Sequence, residues 1–317
     1  MRKLIIKTSL LVYSLFFYQN TGYSQDIAFS QQFSNLVAIN PAFSGTTLGE
    51  RINFYYRNQW LGNHSGFQNF GFTYDSYLSK YNSGIGVLVN NDIQGAYIAP
   101  SIDISYSYII KLDRDFYLSM GLQAGINQKY LSTSKLEFEQ NESIASGLKK
   151  TYPDFVTGII GLSKNTYFGL AVDHIGKPYT GVFSSQDSRL NRKYSLFAGY
   201  IYELKTRLIS QHRYISPNVL VQLQGLQQNI NWGIAFQYEN LLGGLWVRHN
   251  LEPHFESTII YLGYKTKSFR FTYSYDVNIG KRTTRMIGAH EISVTRLLPT
   301  QKSKKNYAHK SMSFLLQ

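Results

Sequence analysis

The chain contains no cysteine, which excludes disulfides, zinc–thiolate centres and cysteine nucleophiles. Beyond its N-terminus it also lacks any apolar run of the roughly 20 residues that a helix needs to cross a hydrocarbon core of ~30 Å. No stretch combines a clear 3.6-residue apolar period with helix caps. Metal-ligand spacing is missing too: the seven histidines, His64, His174, His212, His249, His254, His290 and His309, form no ligand pattern. His290 and Glu291 open H-E-I-S-V, with no second histidine four residues on, and they fall on a strand where a zinc motif requires a helix. Ser274 and His290 fall on neighbouring strands, as a hydrolase pair could, but no nucleophile elbow or oxyanion loop accompanies them. The run G-L-Q-A-G at 121–125 precedes no helix, so it reads as strand glycine rather than a phosphate loop. The chain reads as non-enzymatic, with no catalytic, cofactor-binding or metal residues.

Acidic residues are few. Nineteen Asp and Glu face 32 Lys and Arg, for a formal net charge of +13. Such an excess could point to nucleic acid or anionic lipid. However, Arg2, Lys3 and Lys7 belong to the N-terminal segment, while Lys302, Lys304, Lys305 and Lys310 belong to the C-terminal tail. The rest is spread through turns, and no nucleic-acid module is present. The basic excess suits lipopolysaccharide or an acidic partner.

What the chain does contain is aromatic: 26 Tyr and 20 Phe, with 43% hydrophobic residues overall, alongside a slightly negative mean hydropathy. That combination suits an outer-membrane barrel, whose lumen is polar and whose interfaces carry aromatic girdles. Residues 1–24 read as a signal peptide: a basic start, an apolar run over 10–18, and Gly22-Tyr23-Ser24 before the expected cleavage. Export would carry the mature chain, from about residue 25, towards the cell outer membrane.

Alternation supplies the fold. Over 268–277, Phe269, Phe271, Tyr273, Tyr275 and Val277 share one strand face, while Ser268, Arg270, Thr272, Ser274 and Asp276 share the other. The same pattern recurs as about fourteen strands, expected near 50–60, 66–78, 83–91, 98–110, 116–127, 154–163, 166–175, 193–203, 216–225, 229–239, 243–250, 257–266, 268–277 and 286–296. Short polar turns at 79–82, 111–115, 163–165, 239–242 and 265–267 fall on one side, the periplasmic one, and long links at 128–153 and 175–192 on the other. The link 203–215 breaks that rule and could hide a further strand or a slip. The fold class is therefore all-β: a transmembrane antiparallel barrel with short periplasmic turns and longer extracellular loops. An even strand count closes the sheet and leaves no edge unpaired in lipid. The barrel spans 50–296; residues 25–49 form a periplasmic or plug-like lead-in, and 297–317 a basic tail.

Strand parity assigns the lumen. Arg51, Asn53, Tyr55, Arg57 and Gln59 face inward, against Ile52, Phe54 and Tyr56 outward, with Trp60 near a rim. Ser101, Asp103, Ser105 and Ser107 face inward on the fourth strand, Gly71, Thr73 and Asp75 on the second, and Gly244, Trp246 and Arg248 on the eleventh. The expected lumen charges are Arg51, Arg57, Arg248 and Arg270 against Asp75, Asp103, Glu239, Asp276 and Glu291. An arginine facing lipid at mid-depth costs about 2–4 kcal/mol, which supports this sorting. The lining is either an open polar channel or a filled, salt-bridged interior; balanced signs and bulky inward residues favour filling.

The motifs Q-D-I-A-F-S-Q-Q-F (25–33), N-P-A-F-S-G (40–45), Y-R-N-Q-W (56–60), N-S-G-I-G (82–86), G-L-Q-A-G (121–125), Y-S-Y-D (273–276) and A-H-E-I-S (289–293) occur in this order. In this the chain resembles the PorP/SprF family of type IX secretion system-associated outer-membrane proteins, departing from it at Gln31-Gln32 and in the basic tail. The resemblance implies a non-enzymatic barrel in contact with outer-membrane lipid. It would anchor or assist export of a large surface adhesin, of the kind used in gliding motility, or link to the periplasmic ring of the secretion machinery. The competing reading is an outer-membrane pore for small or hydrophobic solutes.

Overall fold

The computed structural model describes residues 26, 28–60, 66–132, 148–182, 188–204, 213–250, 255–279 and 288–298. The expected signal peptide and the tail beyond 298 lie outside the described residues, as do His64, His212, His254 and His309.

Fifteen strands follow in chain order: β1 (Glu50–Gln59), β2 (Phe67–Leu78), β3 (Ser83–Gln94), β4 (Tyr97–Lys111), β5 (Phe116–Leu131), β6 (Lys149–Ser163), β7 (Thr166–Asp173), β8 (Lys193–Tyr200), β9 (Tyr202–Glu203), β10 (Arg213–Gln224), β11 (Gln227–Tyr238), β12 (Leu241–His249), β13 (Phe255–Lys265), β14 (Phe269–Asn278) and β15 (Ala289–Leu298). The two-residue β9 keeps the register of β8 on β10, since Tyr202 pairs with Ile215 just as Gly199 pairs with Asn218. Fourteen staves therefore form the wall. Each pairs antiparallel with its neighbours, and β15 pairs with β1 from Glu50↔Leu298 to Gln59↔Ala289, closing the barrel.

The link at 203–215 holds no further strand among the described residues: Glu203 pairs with Tyr214, so the sheet itself shortens it. Strands β3 to β6 run longer than alternation with lipid predicts. Polar residues Asn90, Asn91 and Asp92 stay paired in β3, and Lys149 pairs with Tyr130 across β5 and β6. Sheet hydrogen bonding continues past the apolar band, where the sequence no longer alternates by solvent. The connections at 79–82, 112–115, 164–165, 239–240 and 266–268 lie at one end, here the short-turn end. The other end carries the links across 132–148 and 174–192, but also tight two-residue turns at Gly95-Ala96 and Gly225-Leu226. These turns need the positive φ of Gly95 (60°) and Gly225 (57°), which glycine adopts without steric cost.

The wall is inverted relative to a soluble barrel. Ile104 is 65% exposed and Leu122 64%, whereas Ser105 and Ser119, inward on the same two strands, are 2% and 0% exposed. An apolar outer belt and a polar inner face are what lipid outside the wall requires.

The lumen is filled by the chain itself. Residues 28–49 include a four-residue helical turn, α1 (Leu36–Ile39), and a 3₁₀ turn (Pro41–Phe43). Leu36, Ile39, Ala42 and Phe43 pack against Ile160, Leu162, Tyr167, Phe197, Ile201 and Leu220 of the inner wall. The ring of Phe43 stacks on Phe197 with centroids 5.4 Å apart. Burying one such side chain stabilises by about 1.5–3 kcal/mol, so this apolar core seats the segment firmly.

Candidate functional site

The segment begins near the long-link end and crosses the lumen to the short-turn end, and it is bonded to the wall along its course. Asn40 has no exposed surface. Its side-chain oxygen accepts from the Ala42 N–H at 2.9 Å, and its amide nitrogen donates to the Leu170 carbonyl at 3.0 Å. Pro41 opens the 3₁₀ turn, where its missing N–H and fixed φ carry no penalty. Ser119 donates to the Ala42 carbonyl at 2.8 Å, and Ser107 to the Ser44 carbonyl at 2.7 Å. Ser44 also bonds Ser105 at 2.7 Å. The wall makes room with glycine. A Cβ at Gly121 would stand 2.3 Å from the Ala42 nitrogen, at Gly158 2.0 Å from Asn40 Oδ1, and at Gly84 2.0 Å from the Ser44 carbonyl.

Three charge clusters fasten this segment. At the short-turn end, Arg51 Nε donates to Asp75 Oδ1 at 2.7 Å, while Asp75 Oδ2 accepts the Gly45 N–H at 2.8 Å. Arg51 reaches the Phe43 carbonyl as well, at 3.3 Å. Further towards the long-link end, Arg57 bridges Asp276 (3.1 Å) and Glu291 (3.2 Å), and Arg248 shares Asp276 at 3.2 Å. Glu291 accepts the N–H groups of Ser30 (2.8 Å) and Gln31 (3.3 Å), Arg57 touches the Ser30 hydroxyl, and Arg248 donates to the Phe29 carbonyl at 2.9 Å. Gln31 closes this cluster: its amide oxygen accepts from Thr272 at 2.6 Å and Ser293 at 2.8 Å.

The third cluster lies at the long-link end. His174 Nε2 is 2.9 Å from Asp26 and Nδ1 2.6 Å from Asp154, while Lys193 reaches Asp26 at 2.9 Å and Asp173 at 2.5 Å. Burial alone would depress the His174 imidazole, but Asp26 and Asp154 outweigh it and carry the group up to about 10. Burial would likewise raise Asp26, yet Lys193 and His174 hold it well below the usual carboxylate range. Both are charged at neutral pH, and the leading end of the segment is pinned by ion pairs.

Of the charges that parity assigns to the lumen, Arg51, Arg57, Asp75, Arg248, Asp276 and Glu291 meet in these clusters. Asp103 is 7% exposed and faces a cavity. Arg270 is 5% exposed and, among the described residues, lies against Thr295 rather than a carboxylate. Glu239 is a correction. It stands exposed in the 239–240 turn with φ of 51°, because β11 ends at Tyr238 and alternation stops one residue before it. Ser274 is fully buried on the inner face while His290 bonds Tyr273 on the outer face, so the two do not meet. The parity list omits Asp154, Asp173 and Lys193, although all three alternate inward and Asp173 directly opposes Lys193. Asp26 has no such signal, since its segment does not alternate.

Beside the segment, a cavity of about 210 Å³ opens into the long-link half of the lumen, with Val37 and Ala38 along it and Asn69, Asp92, Asp103 and Asn127 in its wall. No group of three or more His, Asp or Glu suited to a metal ion occurs among the described residues.

Among solved structures, the chain is similar to the CymD monoaromatic hydrocarbon channel, at 12% identity and a TM-score of 0.50 over 87% of this chain and 95% of that one. It is also similar to the Pseudomonas putida toluene transporter TodX, at 11% identity and a TM-score of 0.48 over 88% and 99%. At such identities the likeness concerns the fold alone. None of the curated proteins matches. The family model described as type IX secretion system membrane protein PorP/SprF matches residues 21–295. That match covers the lumen segment and nearly the whole wall, and the chain belongs to the PorP/SprF family of type IX secretion system membrane proteins.

Proposed function

We propose that this barrel works without catalysis, holding a large surface adhesin at the outer membrane or assisting its export. The single observation that supports this reading is the occupied lumen. Residues 28–49 thread the barrel, pack an apolar core against its wall and hydrogen-bond to the buried ion-paired groups of that wall, from Ser30 on Glu291 to Gly45 on Asp75. A barrel so filled acts, in this reading, through its ends rather than as a conduit. In this reading the extended strands β4 to β6 and the links beyond them form the face that meets the adhesin. The short-turn end faces the periplasmic secretion ring. The buried charge clusters are structural: they keep the lumen segment seated, and with it the shape of both ends.

Deleting the gene tests this. Surface display of one adhesin, or of all type IX cargo, is expected to be lost, and unchanged display of every cargo refutes the proposal. Planar-bilayer recording of the purified barrel separates it from the solute-pore reading. A silent membrane is expected, and steady open-channel current favours the pore.

A further inference from the structure

We infer that the cavity at the long-link end is a binding site for an ammonium or guanidinium group. This goes beyond the adhesin reading, because it rests on the cavity walls alone. The lining carries five carboxylates (Asp26, Asp92, Asp103, Asp154 and Asp173) against three cations (Lys129, Lys193 and His174). The ion pairs use Lys193 and His174 to neutralise Asp26, Asp154 and Asp173. Asp92 is left with Lys129, which acts on it and lies 4.9 Å from the ring centroid of Tyr97, and Asp103 with His174, which is already engaged by Asp26 and Asp154. The cavity is therefore short of positive charge.

A second, independent feature points the same way. Asn69 is 2% exposed, lines the cavity, and its side-chain oxygen has no hydrogen-bond partner. It directly opposes Asp92 across β2 and β3, and Asp92 Oδ1 also lacks a partner. Unpartnered buried acceptors side by side are costly unless a donor meets them. The missing partner is thus a donor-rich cation, which these two oxygens would hold, with Asp103 further along the same wall adding attraction from a distance. The volume, about 210 Å³, admits the head of an arginine or lysine side chain of a bound polypeptide, or a small free polyamine.

Calorimetric titration of the purified full-length barrel in detergent tests this with three probes: a terminally blocked Gly-Arg-Gly peptide, the same peptide with citrulline, and spermidine. Saturable binding of at least one cation is expected, and none by the uncharged citrulline peptide. Binding of the arginine peptide alone assigns the site to a polypeptide side chain; binding of spermidine alone assigns it to a free amine. Asp92→Asn should weaken binding by roughly tenfold to a hundredfold, and the more distant Asp103→Asn by roughly threefold. Lys129→Met should tighten it, and Asp113→Asn, on the exposed short-turn end, should change nothing. Heat-modifiable gel migration reports that each variant is folded. No saturable binding of either cation, equal binding of the citrulline peptide, or unchanged affinity in folded Asp92→Asn and Asp103→Asn overturns the inference. Adhesin display is a separate readout, so either idea can fail alone.

Discussion

Replacing Arg51 by alanine is the sharpest test of how the lumen segment is held. Arg51 is 3% exposed and Asp75 fully buried, joined at 2.7 Å. Removing the guanidinium leaves a carboxylate in the wall with, among the described residues, only the Gly45 N–H as a donor, and it takes one of three donors from the Phe43 carbonyl, which keeps the Thr46 hydroxyl and N–H. Breaking a buried pair from one side costs about 3–5 kcal/mol, because the remaining charge is neither solvated nor paired. Removing both charges together, as Arg51→Met with Asp75→Leu, should cost far less, since the desolvation of both ions is relieved as well. The two single variants and the double variant form a thermodynamic cycle whose coupling should amount to several kcal/mol. Reversible denaturant unfolding into and out of lipid vesicles, followed by tryptophan fluorescence, measures it. Trp246, packed on Tyr261 inside the lumen, is a suitable reporter. If Arg51→Ala lies within about 0.5 kcal/mol of the parent, the range of an ordinary surface substitution, the pair does not hold the segment. A double variant as unstable as the sum of the singles refutes the same reasoning.

Two further outcomes follow from the clusters and the glycine seat. The folded His174 pKa is raised from 6.5 to about 10, so its stabilising contribution is complete below about 6.5 and is lost as pH climbs through about 10. Asp26 is shifted the other way, so its contribution is present above 3.8 and is lost as pH falls through its lowered folded value. Stability measured across pH should therefore be flat only between about 4 and 6.5, falling below that window with Asp26 and above it, through neutrality to about 10, with His174, and His174→Gln should flatten the alkaline limb. An unchanged alkaline limb in that variant contradicts the assignment. Gly121→Val should cost about 1–3 kcal/mol through overpacking, because its Cβ meets backbone at Ala42 rather than a movable side chain. Limited proteolysis should then cut within 28–49 in the variant only, and equal protection of both proteins argues against the seat.

Alternation alone carries most of the wall. Lipid outside and polar groups inside impose a period of two on every stave, so Phe271 and Arg270 declare their faces locally. The same rule places Arg51, Asp75 and Arg248 inward, but it does not say which charge meets which. Glu239 shows its limit: a turn ends the strand one residue early, and the side chain leaves the lumen. Strand ends past the apolar belt, as in β5 and β6, are equally hidden, because backbone pairing there proceeds without a lipid face to mark it.

The sequence by itself determined the class of fold, the face of each strand and the family, since these depend on short-range pattern and ordered motifs. Only the tertiary structure decided that residues 28–49 fill the barrel. That segment has no period to read, and its partners lie far along the chain: Ser30 bonds Glu291 across 261 positions, and Asp26 meets Lys193 across 167. Closing the wall is what brings those groups within reach, and burying them is what makes their pairing obligatory.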